Sequence, residues 1–504
     1  MAGSISTGPA EPKAGVEAGH LGLGVAFPEV GGRRSTTTTG REILADAAAA
    51  ADPALAERIR ASRRWRQDYI DAIRELTVRS IDGEAAVAIA RAGLASMRRR
   101  LVFERGESAV SIERSLAAVE PEFEFETRVI RGNARPVTSL RVPYAGGQLE
   151  GRALTEQLEA WVAAGAIERS FADAVQSVAA NPQWLSLPGR MVALVGAGAE
   201  IGPLEPLCAW GADVTVLDVP DVALWEGIAR VAAAGAGTLR APVGPSGAVG
   251  ADVLRMLPEI RPWLYRTAQD GRLVLGMYAY ADGGAHVCLS AAFDALASDA
   301  LAHRVDTALS FLATPTDAFV VPQDAMERSR AAYAGRRARR LLQAPAQLLS
   351  SRRLFAPAYS GGLPVADALV KQQGPNYAIA KRLQRWRGVS AIAGGDEVSF
   401  NVAPASWTRS VTKNRILAAA YSGARHFGIE VFPAETTRVL MAALLVHDLN
   451  RPARADDAPE SLFSSQAAHG GLWSAAYEPR SALGVAALAG LPGTLLPGRR
   501  ARRP

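Results

Sequence analysis

The chain has 504 residues, 49% of them hydrophobic, and carries 56 Lys and Arg against 50 Asp and Glu, a net charge of +6. That length and apolar content exclude a disordered chain and predict roughly two to four domains with real cores. The two cysteines, Cys208 and Cys288, exclude a disulfide framework and a cysteine-built zinc site, and read as small core residues.

The N-terminus lacks the basic-then-apolar pattern of a secretory signal, and the apolar stretch Leu483 to Leu496 is short and broken by Pro492. The expectation is a cytoplasmic protein with no membrane partner. The basic balance is almost wholly arginine, because the only lysines are Lys13, Lys371, Lys381 and Lys413. No zinc-finger spacing or aromatic RNA-binding motif accompanies it, so nucleic acid is not an expected partner.

Residues 1–40 are rich in Gly, Pro, Ser and Thr, with Thr36 to Thr39 in a row, and predict a flexible lead-in. Residues 41–185 predict a mainly helical domain. Leu55, Ile59, Tyr69, Ile70, Ile73 and Leu76 recur at helical intervals over Ala54 to Val78, and the pattern continues from Glu84 to Leu101. Phe123 to Val142 alternates and predicts strands, whereas Arg152 to Asn181 returns to an amphipathic helix. Pro182, Leu185, Pro188 and Gly189 mark a break.

Met191 to Asp218 then reads as a buried strand, a glycine turn, a short helix and a second strand ending on an acid, half of a mononucleotide-binding βαβ unit. Gly196, Gly198 and Gly202 allow the sharp turn and the close approach of a pyrophosphate. Ile201 stands where the third glycine of G-x-G-x-x-G belongs, and Gly202 comes one residue late. Asp218 lies at the spacing of an acid that binds a ribose 2′-hydroxyl and repels a 2′-phosphate, which predicts NAD rather than NADP. Strands and helices keep alternating: Gly237 to Val243, Arg272 to Tyr278 and Thr307 to Thr314 as strands, Ala251 to Tyr265 and Val287 to His303 as helices. The predicted fold class is α/β, a doubly wound parallel sheet (Rossmann-like) over 190–450, preceded by the largely helical N-terminal region and followed by a C-terminal extension, 451–504.

Tyr377 and Lys381 are four apart on a predicted helix and share a face. An ammonium beside a phenol stabilises phenolate and brings a weak acid toward the range of a general acid/base. Val398 to Val402 follows as a strand carrying Asn401, with Pro404 and Thr408 beyond it. His303 with Asp306, and His447 with Asp448, lack a third ligand at metal spacing and read as surface or helix-end residues.

These residues resemble the short-chain dehydrogenase/reductase family over about 191–449. The family's YxxxK is matched by Tyr377 and Lys381, its strand Asn and Pro and its nicotinamide-side threonine by Asn401, Pro404 and Thr408, and its glycine turn by Gly196, Gly198 and Gly202. The resemblance implies that Tyr377 gives or takes a proton at a carbonyl or alcohol, that Lys381 holds the nicotinamide ribose and lowers the pKa of Tyr377, and that Thr314, or Thr316, orients the substrate oxygen. It implies an NAD-dependent enzyme acting on a small-molecule substrate. It also allows a homo-oligomer, since family members are commonly dimers or tetramers, while the long N-terminal extension is able to cover the surfaces they use.

The chain departs from the family where MYAYADGG replaces NNAG after the fourth strand, where no helix asparagine has a counterpart, and where an insertion, 318–373, separates Thr314 from Tyr377. Within that insertion Arg328, Arg330, Arg336, Arg337, Arg339, Arg340, Arg352 and Arg353 read either as a solvated helix face or as a cationic lid for an anionic handle such as a coenzyme A thioester. Two other readings stay open: a non-catalytic nucleotide-binding scaffold, and a methyl-transfer enzyme using S-adenosylmethionine.

Overall fold

The computed structural model describes residues 23–304, 306–336, 343, 345, 347–350, 354–451 and 458–495. In chain order the elements that position the site begin with β1 (Leu23–Ala26), α1 (Thr36–Ala49), α2 (Pro53–Ala61), α3 (Trp65–Arg79), α4 (Gly83–Arg100), β2 (Val102–Arg105), β3 (Ser108–Ser111), β4 (Glu126–Arg131), α5 (Gly151–Ala163) and α6 (Arg169–Ala180). Next come β5 (Arg190–Val195), α7 (Leu204–Trp210), β6 (Asp213–Leu217), α8 (Val222–Ala234), β7 (Thr238–Val243), α9 (Leu257–Thr267), β8 (Arg272–Met277), α10 (Gly284–His303) and β9 (Thr307–Ala313). The chain continues through α11 (Gln323–Ala334), α12 (Gly374–Ile392), β10 (Glu397–Val402), α13 (Arg415–Ala424), α14 (Ala434–Asn450) and α15 (Pro479–Leu495).

A seven-stranded sheet in the order β10-β9-β8-β5-β6-β7-β4 is the centre of the molecule. Its strands run parallel except β4, which caps one edge antiparallel to β7. The six parallel strands therefore have the doubly wound Rossmann order, 3-2-1-4-5-6. Register is set by burial on both faces. Along β5, Met191, Ala193 and Val195 belong to one hydrophobic cluster and Val192 and Leu194 to the other. Helices α9, α10 and α12 cover the first face; α6, α7, α8 and α14 cover the second.

Residues 23–40, expected as part of a flexible lead-in, are structured. β1 pairs with β2, and Ser35 caps α1 by accepting the Thr38 amide at 3.1 Å, so the threonine run forms the first turn of a helix instead of a loose tail. The single helix expected from Ala54 to Val78 is two. Ser62, extended, ends α2, and its hydroxyl reaches Asp68 at 2.8 Å on α3. Gly165, at φ +67°, likewise divides Arg152 to Asn181 into α5 and α6. Of the strands expected over Phe123 to Val142, the one that joins the main sheet is β4. Helix α9 starts at Leu257, with Pro258 in its first turn, and not at Ala251.

The N-terminal helices share the hydrophobic cluster under α10 and α12. Two glycines let the backbones close in. A β-carbon on Gly93 of α4 would lie 2.3 Å from the Trp386 ring, and one on Gly40 of α1 would lie 2.4 Å from Ile379, both partners being on α12. Helix α10 is long and apolar enough to cross a membrane by composition, yet 67% of its apolar window is buried inside the protein. It is hydrophobic all round because the sheet packs on one side of it and α12, β1 and residues 112–118 on others.

Candidate functional site

The loops that follow β5, β6, β8, β9 and β10 all leave the carboxyl edge of the sheet. Between β5 and β8 the connections part: α7 returns on one face and α10 on the other. Ligands of open α/β sheets bind in the crevice above such a switch point.

Gly196 ends β5 at φ +84°, and a β-carbon there would strike the backbone of Ala279 at 2.2 Å, so the turn is pressed against the loop after β8. The Gly198 amide donates to Asp218 Oδ2 at 3.1 Å, and the Val219 amide donates to Oδ1 at 3.0 Å. The acid and the glycine turn thus form one unit. Burial holds the Asp218 carboxyl above its usual value, with the charges of Asp221 and Asp252 adding to the effect and the two amides opposing it. Gly202 closes a second tight turn, its amide donating to the Ala199 carbonyl at 3.0 Å.

Helix α7 is short and begins with Pro203 as its cap and Pro206 in its first turn, which removes amide donors that a longer Rossmann helix would offer. Glu200, in the turn, accepts the Arg409 amide at 2.8 Å, and its carbonyl accepts from Arg438 Nε at 2.8 Å. Arg438 also pairs with Glu205. Thr408, adjacent to Arg409, is thereby placed beside the glycine turn.

The helix expected to carry Tyr377 and Lys381 is α12. Tyr377 stacks on His286, ring centroids 5.7 Å apart and planes 18° off parallel, and Tyr280 lies 6.2 Å away. No hydrogen bond joins Tyr377 to Lys381. The lysine instead donates to Gln384 Oε1 at 2.9 Å and to the Leu312 carbonyl at 3.3 Å. Burial pushes Tyr377 above the ordinary phenol range, helped by the negative charge of Asp317. This corrects the expectation that Lys381 lowers it. Lys381 itself is pushed down to about 8 by burial, with Asp317 opposing.

Thr314 stands just past the end of β9, its hydroxyl 2.9 Å from that of Thr316. Gln373, at the foot of α12, donates to the Thr316 carbonyl at 2.9 Å, tying the two threonines to the helix of Tyr377. Asn401 is the exception among the expected residues. Its amide donates to Asp448 Oδ2 at 2.8 Å and to Ser399 at 3.0 Å, in a buried network with α14 on the other face of the sheet. The strand period of two turns its side chain away from Tyr377.

His286 was not singled out from the sequence. It is 1% exposed, accepts the Ala281 amide at Nδ1 over 3.4 Å, and so carries its proton on Nε2, which has no partner among the described residues. Burial, then the charge of Lys381, push its pKa down to about 3. It bridges the two groups that the resemblance pairs, stacking on Tyr377 and feeling Lys381. The signal lay in the departure from NNAG: Tyr280 and His286 belong to the MYAYADGGAH segment.

The arginine insertion is divided. Arg328 is held by Glu168 at 2.7 Å and by Asp324, while Arg336 lies 5.7 Å over the Tyr477 ring and donates to the Phe427 carbonyl. Arg337, Arg339, Arg340, Arg352 and Arg353 lie outside the described residues. No group of three or more His, Cys, Asp or Glu fit to hold a metal exists among the described residues.

The two ends of the crevice suit a dinucleotide unequally. At the ribose end it fits: Asp218 retains lone pairs beyond its two amide bonds, and Asp221 and Asp252 add negative charge. At the diphosphate end, the Ala197, Glu200 and Ile201 amides make no bond to the described residues and the Arg409 side chain is 77% exposed, while the Glu200 carboxylate competes for the same donors.

No protein-family model matches the sequence, and comparison with curated proteins finds no match. Among solved structures, one that the chain is similar to is the terminal R domain from the myxalamid PKS-NRPS biosynthetic pathway, at TM-score 0.27 and 13% identity, over 56% of this chain and 66% of that chain. A likeness of this size says nothing about function.

Proposed function

We propose that the chain is a nicotinamide-dependent oxidoreductase acting on a carbonyl or alcohol. The observation that carries the reading is the joining of Asp218 to the Gly198 amide at the switch point of a 3-2-1-4-5-6 sheet, with Tyr377 brought to the same edge through Tyr280 and His286. The cofactor, when bound, supplies or accepts the hydride; the preference is for NAD, because Asp218, Asp221 and Asp252 would repel a 2′-phosphate.

Tyr377 is the proton donor in this reading. A phenol held above its usual pKa stays protonated at neutral pH, which makes it an acid for the reductive direction. Thr314 and Thr316 orient the substrate oxygen with their paired hydroxyls. His286 positions the phenol by stacking on it, and Lys381 acts on that imidazole. Asn401 has no part in it, and Thr408 lines the cofactor side through its neighbour Arg409. The protein is expected to act in the cytoplasm, on a small molecule, without nucleic acid or membrane.

The test is a titration with NADH, NADPH and S-adenosylmethionine, followed by turnover of the Tyr377→Phe variant. Expected are NADH binding tighter than NADPH, no S-adenosylmethionine binding, and loss of about 10²- to 10⁴-fold in rate with NADH affinity unchanged. A second reading, a scaffold without catalysis, is favoured by Glu200 and the prolines of α7. It predicts no nicotinamide binding.

A further inference from the structure

Between α13 and α15 lies a cavity of about 90 Å³, lined by Ala420, Ala424, Ile429, Leu472, Leu483 and Ala486 among other apolar residues. Its walls are held at close range. A β-carbon on Gly423 of α13 would overlap the Ala486 carbonyl, and one on Gly490 of α15 would overlap the Ala419 carbonyl, so the void is not loose packing between two distant helices. The pocket is partly open and its wall is almost wholly apolar, so an alkyl chain seated there leaves water for an apolar surface.

The polar atoms around it are mostly spent. His469 donates to Glu168 at 2.9 Å, the Tyr477 hydroxyl donates to Gln343 at 2.6 Å, and Thr316 is bonded to Thr314 and Gln373. Among the described residues the Tyr421 hydroxyl has no hydrogen-bond partner, its ring packing on Trp407. Thr316 lies on the side nearest the candidate site, its hydroxyl paired with that of Thr314, and Tyr421 lines the same pocket.

We propose that this cavity holds the alkyl chain of a neutral carbonyl or alcohol substrate, whose oxygen is presented on the Thr316 and Tyr421 side, toward Thr314 and Tyr377. The proposal rests on the oxidoreductase reading and gives it a substrate class. An apolar cavity of 150 Å³ takes benzene, so 90 Å³ accommodates roughly four carbons. The chemistry favours a short unbranched chain over a sugar or an amino acid, because a hydroxyl or ammonium among these side chains would lose its water without a partner.

The experiment is calorimetric titration of the full chain, without cofactor, with the straight-chain alcohols from ethanol to octanol. Affinity is expected to rise about fourfold per carbon up to butanol or pentanol, as for burial of successive methylenes, and then to level off. Leu483→Ala should move the break to a longer chain, and Ala420→Leu should abolish binding. Affinity that ignores chain length, or a Leu483→Ala break at the native length, overturns the proposal; Leu483→Ala keeps the test decisive if Ala420→Leu fails to fold. Titrating NADH separately distinguishes the two claims. Alcohol binding with the predicted break but no NADH binding supports the cavity and overturns the oxidoreductase reading, whereas NADH binding without chain-length dependence does the reverse.

Discussion

Two side chains at the site carry charges whose placement is testable one residue at a time. Glu200 puts a carboxylate among the donors that a diphosphate needs, accepting from the Arg409 amide. Glu200→Gln should therefore tighten NADH by about fivefold, the ~1 kcal/mol of one like charge a few ångström away in a watery setting; weaker binding would show that Glu200 orders the turn. Lys381 has its pKa pushed from 10.5 to about 8 by burial. Between those values the unfolded chain holds the proton that the folded chain has released. Stability from this group consequently rises with pH across that window, and the cost of the buried ammonium is present in full below it. The stability of Lys381→Met relative to the native protein should fall as pH is raised from about 8 to 10.5 in urea unfolding. A flat difference would place the ammonium in water. At this scale the sequence made Gly196, Gly198 and Asp218 legible because their spacing is itself the chemistry. It could not show that Lys381 turns to Gln384, nor that Asn401 is committed to Asp448, since both follow from partners 3 and 47 residues away in the chain.

Among elements, the strands of the sheet were legible from their unbroken apolar runs, which burial on both faces demands. Helix limits were less so. The break at Ser62 and the late start of α9 depend on caps and turns that periodicity does not register. The α13–α15 pair is where element packing is most exposed to test. Gly423→Ala sets a methyl against the Ala486 carbonyl and should cost about 1–3 kcal/mol. Gly484→Ala, on the same helix as Ala486 but with open space before it, should instead stabilise by about 0.5–1 kcal/mol. Urea midpoints for the two variants should move in opposite directions; a shared direction would mean that the helices slide freely.

For the molecule as a whole, the N-terminal helices are part of the core and not an appendage. Ile43, Leu44, Ile73 and Met97 share one apolar cluster with Phe293 and Phe311 of the sheet side. Removing residues 1–119 would bare the apolar surface of α10 and α12, and the remainder should aggregate or unfold non-cooperatively, as read by calorimetry and light scattering. A stable monomeric remainder would mean that the helices are a detachable module. The amphipathic pattern of 41–185 announced helices, but not their destination, because one sequence does not say which of two apolar faces meet. That destination bears on how the protein behaves at low abundance. A face covered by a segment of the same chain stays covered however far the protein is diluted, because the tether fixes the effective concentration of its cover. Whatever geometry α1 and α4 impose on the helix of Tyr377 is therefore the same in one copy per cell as in a concentrated solution.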